Sequence, residues 1–148
     1  MKLAALTGQR VYLDANVIIY AVQSHPPWST PAGLVFDAIG DGRIEAVTSE
    51  LSIAEVLPKP FECGDQLQVD TFIDLLTSGD GLTVGPIGRD ILVKSAQLRA
   101  LSNLKLLDAI HVATAQIMNC SLFLSQDERL GRMLSEAPKW LRLSDVTA

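Results

Sequence analysis

Apolar positions along the chain fall into short continuous runs that alternate with longer stretches of helical spacing, with Gly and Pro between them. Arg10 to Asp14 (RVYLD) reads as a short buried strand. Ala15 to Gln23 reads as a helix that stops before His25-Pro26-Pro27, because proline has no N–H with which to continue it. Thr30-Pro31 is a cap followed by a first-turn proline and opens a helix through Leu34, Val35, Ala38 and Ile39, ending near Gly40 and Gly42. Arg43 to Thr48 is a second strand, after which Ser49 caps a helix to about Leu57, before Pro58 and Pro60. Val69, Phe72, Ile73 and Leu76 stand at i, i+3, i+4 and i+7 and mark an amphipathic helix ending near Gly79. The glycines of SGDGLTVGPIG read as turns around a strand near Leu82 to Val84. Helices over Arg89 to Leu101 and Leu106 to Met118 come next, then a strand at Leu122 to Ser125, a helix, and a last strand at Trp140 to Leu143.

Strands alternating with helices imply an α/β fold, a central mostly parallel sheet with helices on both faces. At 148 residues, 48% apolar and 20% charged, the chain suits a single domain spanning 1–148. No run approaches membrane-spanning length and the first residues lack a signal-peptide core, so a soluble, cytoplasmic protein with no membrane partner is expected. Cys63 and Cys120 belong to no metal-binding or redox motif and are expected to be reduced, partly buried thiols. A formal net charge of −5 argues against a protein that coats polyanions non-specifically, while leaving room for a local basic patch.

In such sheets ligands bind outside the carboxyl ends of the strands. Asp14 lies at one such end and Asp127 just past another. In LLDAIHVATAQIM, Leu106, Ile110, Ala113 and Ile117 form a core stripe, and Val112 and Ala115 make the opposite face apolar as well. Asp108 projects from that second face, where a carboxylate is costly without a partner, a proton or a metal ion. Glu55 is likewise surrounded by Leu51, Ala54 and Val56. Each acid also has a plain structural use: Asp14 as a helix N-cap, Glu55 paired with Lys59, Asp108 paired with Lys105, and Asp127 as a turn or cap residue. Four carboxylates brought to one cleft would repel one another, and a hard divalent cation with oxygen ligands is the ordinary remedy.

YLDANVIIY, TSELSIAEV, LLDAIHVATA and LFLSQDERL together resemble the four acidic blocks of the PIN-domain family, specifically the VapC-type toxins of toxin–antitoxin pairs. The similarity covers nearly the whole chain, with the acids in family order. The resemblance implies a Mg²⁺- or Mn²⁺-dependent ribonuclease. It also implies a homodimer, neutralised by a small antitoxin that occupies the cleft. Carried over, Asp14, Glu55 and Asp108 match the three principal metal-site acids and Asp127 the more variable fourth; all four are candidate catalytic residues. Asn16 and Ser125 match small polar positions that would orient the acids or a water. The last block reads Ser-Gln-Asp where Thr-Asn-Asp is common, and Glu50 is an alternative to Glu55 that the spacing from Ser49 disfavours.

RNA approaching so acidic a chain needs cations, and Lys59, Lys105, Arg129 and Arg132 are placed to meet phosphates at the cleft rim. His111 shares the Asp108 helix but reads as capped or core-packed, without a catalytic role. Trp28 and Trp140 read as packing residues. Two rivals stand beside the nuclease. One is a non-catalytic PIN-like module that binds antitoxin or RNA. The other is a phosphatase of the haloacid dehalogenase type, whose second motif acid is replaced by Asn16 in LDANV.

Overall fold

The computed structural model describes residues 1–79, 81–134 and 137–148. Its centre is a five-stranded sheet in the order β3-β2-β1-β4-β5, every neighbouring pair parallel. The strands are β1 (Arg10–Leu13), β2 (Glu45–Ser49), β3 (Leu82–Gly85), β4 (Leu122–Ser125) and β5 (Lys139–Arg142). The helices are α1 (Ala15–Gln23), α2 (Ser29–Gly40), α3 (Leu51–Val56), α4 (Pro58–Glu62), α5 (Gln66–Leu75), α6 (Arg89–Leu101), α7 (Leu106–Ile117) and α8 (Glu128–Met133). Turn signals of SGDGLTVGPIG run through position 80, which lies outside the described residues. Among the described residues no helix is long and apolar enough to cross a membrane.

Strand residues alternate between faces, and the two faces bury different clusters. Val11 and Leu13 of β1, with Ala46, Leu122 and Leu124, pack against Val17 of α1 and Ala32, Val35, Ala38 and Ile39 of α2. Tyr12, Val47 and Phe123 point the other way, onto Ala109, Val112 and Ala115 of α7 and Leu130 of α8. Both faces of the sheet are therefore covered, as parallel pairing requires. Because β1 and β4 are parallel neighbours, Asp14 and the Ser125–Asp127 turn emerge side by side at the same edge.

Several boundaries depart from the expectations above. The second helix begins at Ser29 with no side-chain cap, so Thr30 lies inside it instead of capping it. β2 starts two residues late because the Arg43 and Ile44 amides are drawn back to the Ala38 carbonyl at the end of α2. Pro58 does not end helical structure: it starts α4, since a proline is well tolerated in a first turn whose N–H groups lack partners anyway. In α7 the stripe facing the sheet is Ala109, Val112 and Ala115, with Ile110 and Ala113 turned toward Ile91 of α6 and Leu51 of α3. Leu106 and Ile117, expected in the core, lie at the exposed ends. A helix wedged between a sheet and a second helix buries two faces, and the i, i+4 pattern alone does not say which meets the sheet. Cys63 is exposed and Cys120 buried, both as free thiols; burial pushes the Cys120 thiol up to about 11.

Candidate active site

Asp14 follows the last residue of β1, and its backbone N–H still donates to the Leu124 carbonyl at 3.1 Å, so the sheet itself fixes its position. It occupies the N-cap position of α1, yet its side chain makes no capping bond. The plain structural use is therefore not the one found. Instead the carboxylate turns to β4, where buried Ser125 donates its hydroxyl proton to Asp14 Oδ2 at 2.9 Å. The same Ser125 Oγ accepts from the Asp127 N–H at 2.9 Å, so one hydroxyl joins the Asp14 carboxylate to the Asp127 backbone. Burial holds the Asp14 carboxyl above the ordinary carboxylate range; His111 and the Ser125 bond oppose this, and nearby Glu55 adds to it.

Glu55 arrives on α3, launched from the carboxyl end of β2. Thr48 Oγ1 donates to the Leu13 carbonyl at 2.9 Å and lies 2.8 Å from Ser52 Oγ. Ser49 Oγ accepts from the Leu51 N–H. These bonds lock the first turn of α3 against the ends of β1 and β2. Glu55 does not pair with Lys59, which is exposed; its Oε1 lies 2.5 Å from His111 Nε2. Glu50 is exposed, away from the partly buried Glu55.

Asp108 sits in the first turn of α7, partly buried. Its partner is Arg129, which donates to Oδ2 at 2.6 Å, and not Lys105, which is exposed at the helix N-cap. Asp127 does act as a cap, accepting from the Arg129 and Leu130 N–H groups of α8, and its other oxygen lies 3.6 Å from the Arg129 guanidinium.

Of the other residues singled out in the sequence, Asn16 is exposed and makes no side-chain hydrogen bond among the described residues, whereas Ser125 is at the centre of the acids. Lys59, Lys105 and Arg132 are exposed or half-exposed, while Arg129 is drawn inward as a counter-ion. Tyr12, Thr48 and Ser52 were not singled out from the sequence, and His111, read there as capped or core-packed, is indeed buried, with both ring nitrogens engaged and one of them beside Glu55. A signal existed: LLDAIHVATA places His111 three residues beyond Asp108 on a helix apolar all round, where an imidazole needs a polar partner.

The donors gathered here are carboxylate oxygens, which suit a hard divalent cation in kind. Asp14 fits such a role best, being a partly buried acid at a strand end with a hydroxyl partner. Among the described residues, however, no three His, Cys, Asp or Glu side chains close on a single point. Glu55 leans on His111 and Asp108 on Arg129, so two of the four acids have partners within the protein.

This arrangement of a parallel sheet with acids at the carboxyl ends is that of a known family. Residues 11–134 match the PIN domain model, and the chain belongs to that family. Solved structures share the fold. A toxin–antitoxin complex from Klebsiella pneumoniae is 21% identical with a TM-score of 0.67, over 90% of this chain and 97% of that one. VapBC2 from Rickettsia felis, bound to a DNA fragment from their promoter, is 14% identical with a TM-score of 0.69, over 90% and 98%. VapC20 of Mycobacterium tuberculosis, a sarcin–ricin loop cleaving toxin, is 12% identical with a TM-score of 0.60, over 76% and 86%. Comparison with curated proteins returns no match.

Proposed function

We propose that this PIN-domain protein is a Mg²⁺- or Mn²⁺-dependent endoribonuclease, the toxin of a toxin–antitoxin pair. The observation that carries the reading is the convergence of Asp14 at the end of β1 with the Ser125–Asp127 turn at the end of β4, joined by the Ser125 hydroxyl, which meets the Asp14 carboxylate and the Asp127 backbone N–H. Carboxylates held near one another call for a compensating charge, which a hard divalent cation supplies. The shared fold with toxin–antitoxin structures, one of which cleaves the sarcin–ricin loop, supports the substrate class and the antitoxin partner.

In this reading Asp14, Glu55 and Asp108 hold the ion, with Asp127 as the fourth acid. When bound, the cation would supply the Lewis acidity that lowers the pKa of water and offsets charge on the phosphodiester. The chain's own residues do the positioning. Ser125 fixes one Asp14 oxygen from β4. Asp127 is held by two amides of α8, which keep it in place beside Ser125. The raised tendency of Asp14 to hold a proton in the metal-free chain gives way when a cation compensates its charge. Lys59, Lys105 and Arg132 provide the cationic rim that a chain of net charge −5 needs to bring phosphates close. A homodimer and a small antitoxin seated over the cleft complete the proposal.

The test is to incubate antitoxin-free protein with total bacterial RNA in Mg²⁺ or Mn²⁺ and map new RNA ends. Discrete cuts that vanish in EDTA and in Asp108→Asn are expected. Folded protein that gives no cuts under any condition would shift the assignment to a binding module of the same fold.

A further inference from the structure

Tyr12 is fully buried on the face of β1 that meets α7. Its hydroxyl lies 2.5 Å from His111 Nδ1, and the rings meet edge to face with centroids 5.7 Å apart. The opposite ring nitrogen, Nε2, lies 2.5 Å from Glu55 Oε1. The imidazole side chain is 3% exposed, so it has neither an open edge for substrate nor room to turn without losing both bonds. A neutral phenol can give its proton to the imidazole, which leaves the far ring nitrogen to face Glu55. In the tautomer that serves both contacts, Nδ1 accepts from Tyr12 and Nε2 carries the N–H toward Glu55.

A core histidine needs hydrogen-bond partners, but it does not need a carboxylate from a third element 56 residues away in the chain. The line runs from β1 through α7 to α3 and ends on Glu55, the partly exposed member of the three. Thr48 and Ser52 secure the backbone of α3 at its first turn, whereas among the described residues nothing else holds the end of the long Glu55 side chain. Glu55 has three side-chain torsions to fix, and an unsupported carboxylate would swing between the cleft and solvent.

We propose that Tyr12 and His111 are positioning residues: a buried Tyr12–His111 relay sets the direction of the Glu55 carboxylate and holds it on the Asp14 side of the cleft. The consequence for ion binding rests on the metal-site reading under Proposed function; the relay itself does not. His111 acts through Glu55 and touches no reacting atom.

The experiment has two arms. In the first, Mn²⁺ binding is followed by the loss of the free-ion paramagnetic resonance signal in wild type, His111→Leu, His111→Gln and Tyr12→Phe, with thermal melts alongside. Loss of an outer partner weakens metal binding, so His111→Leu is expected to bind Mn²⁺ about tenfold more weakly or worse, while His111→Gln, whose amide still offers an N–H to Glu55, stays within about threefold of wild type. Tyr12→Phe should fall between them. His111→Leu binding like wild type, or His111→Gln binding as weakly as His111→Leu, would overturn the relay.

The second arm uses no metal. In ¹⁵N-labelled, metal-free protein the His111 Nε2 resonance should be that of a protonated nitrogen and should move in the near-isosteric Glu55→Gln, and Nδ1 should move in Tyr12→Phe. Resonances that ignore both changes would refute the proposal. If wild type binds no Mn²⁺ while these resonances respond, the metal reading fails and the relay stands.

Discussion

Arg129 donates to Asp108 across 2.6 Å, joining the first turn of α8 to the first turn of α7. The pair spans 21 residues of sequence and places a cation among the acids, where the sequence suggested a phosphate contact at the rim. A charge in that position competes with any divalent ion drawn to Asp108. Replacing Arg129 with Ala should therefore tighten Mn²⁺ binding, by roughly tenfold for one partly screened unit charge acting on a divalent ion at about 6 Å. Calorimetric titration checks this; weaker binding would mean that the guanidinium organises Asp108 for the ion instead of occupying its place. The effect on folding stability should be small, because the guanidinium is 39% exposed and water screens the pair.

Arg132 enters no ion pair among the described residues. If it meets an RNA phosphate, Arg132→Ala reduces the slope of log affinity against log salt by roughly 0.7 to 1. An unchanged slope removes Arg132 from the RNA path.

Asp14 gives a pH signature. Its folded carboxyl is held above the ordinary value of 3.8, chiefly by burial. Above that raised value the metal-free folded chain carries a buried charge that the unfolded chain keeps in water, and this costs stability. As pH falls through the raised value the folded state takes up its proton first, the cost shrinks, and it is gone below 3.8. In EDTA, Asp14→Asn should therefore melt above wild type at neutral pH, with the gap closing as pH falls toward 3.8. A variant less stable than wild type at neutral pH, or a gap that ignores pH, would show that Asp14 is well compensated without an ion.

How much of the fold and site was legible in the chain depends on range. β1 and α1 could be read because Val11, Tyr12 and Leu13 form a continuous apolar run and the prolines at 26 and 27 bar the following helix from continuing. The four acids could be placed at strand ends and on α3 and α7 from order alone. Their partners could not. Lys59 and Lys105 lie close to Glu55 and Asp108 in sequence, but both stay in solvent, and the partners found are His111 and Arg129, brought by packing of α7 and α8. Local spacing predicts pairs on one helix; it is silent about pairs between helices. The partners of His111 were hidden for the same reason, since Tyr12 and Glu55 lie 99 and 56 residues away. The alternation that turns Tyr12 away from Val11 and Leu13 was visible in β1, but what stood opposite it was not.

Ser125 is fully buried and serves Asp14 as donor and the Asp127 N–H as acceptor. Ser125→Ala strands both, and the loss should be about 1–3 kcal/mol of folding stability for the buried amide alone. A chemical-denaturation midpoint within error of wild type would show that water replaces the hydroxyl.

Docking of α8 sets where Asp127 and Arg129 stand, and it depends on Gly131. A Cβ there would sit 2.5 Å from Trp140 Cδ2, inside the indole ring's contact surface. Gly131→Ala should cost about 1–3 kcal/mol by overpacking and should loosen Asp127 and Arg129 together. Near-wild-type stability and activity would mean that Trp140 yields freely.

If acids from separate elements form one ion-dependent site, they act on cleavage as a unit. The most direct measurement is single-turnover cleavage at one mapped RNA site by Asp14→Asn, Glu55→Gln and the double variant. Residues that act as a unit are non-additive, so each single change should slow cleavage by roughly a hundredfold or more and the double change by scarcely more than either. Cleavage that survives either single change, or losses that multiply in the double variant, would contradict a shared site.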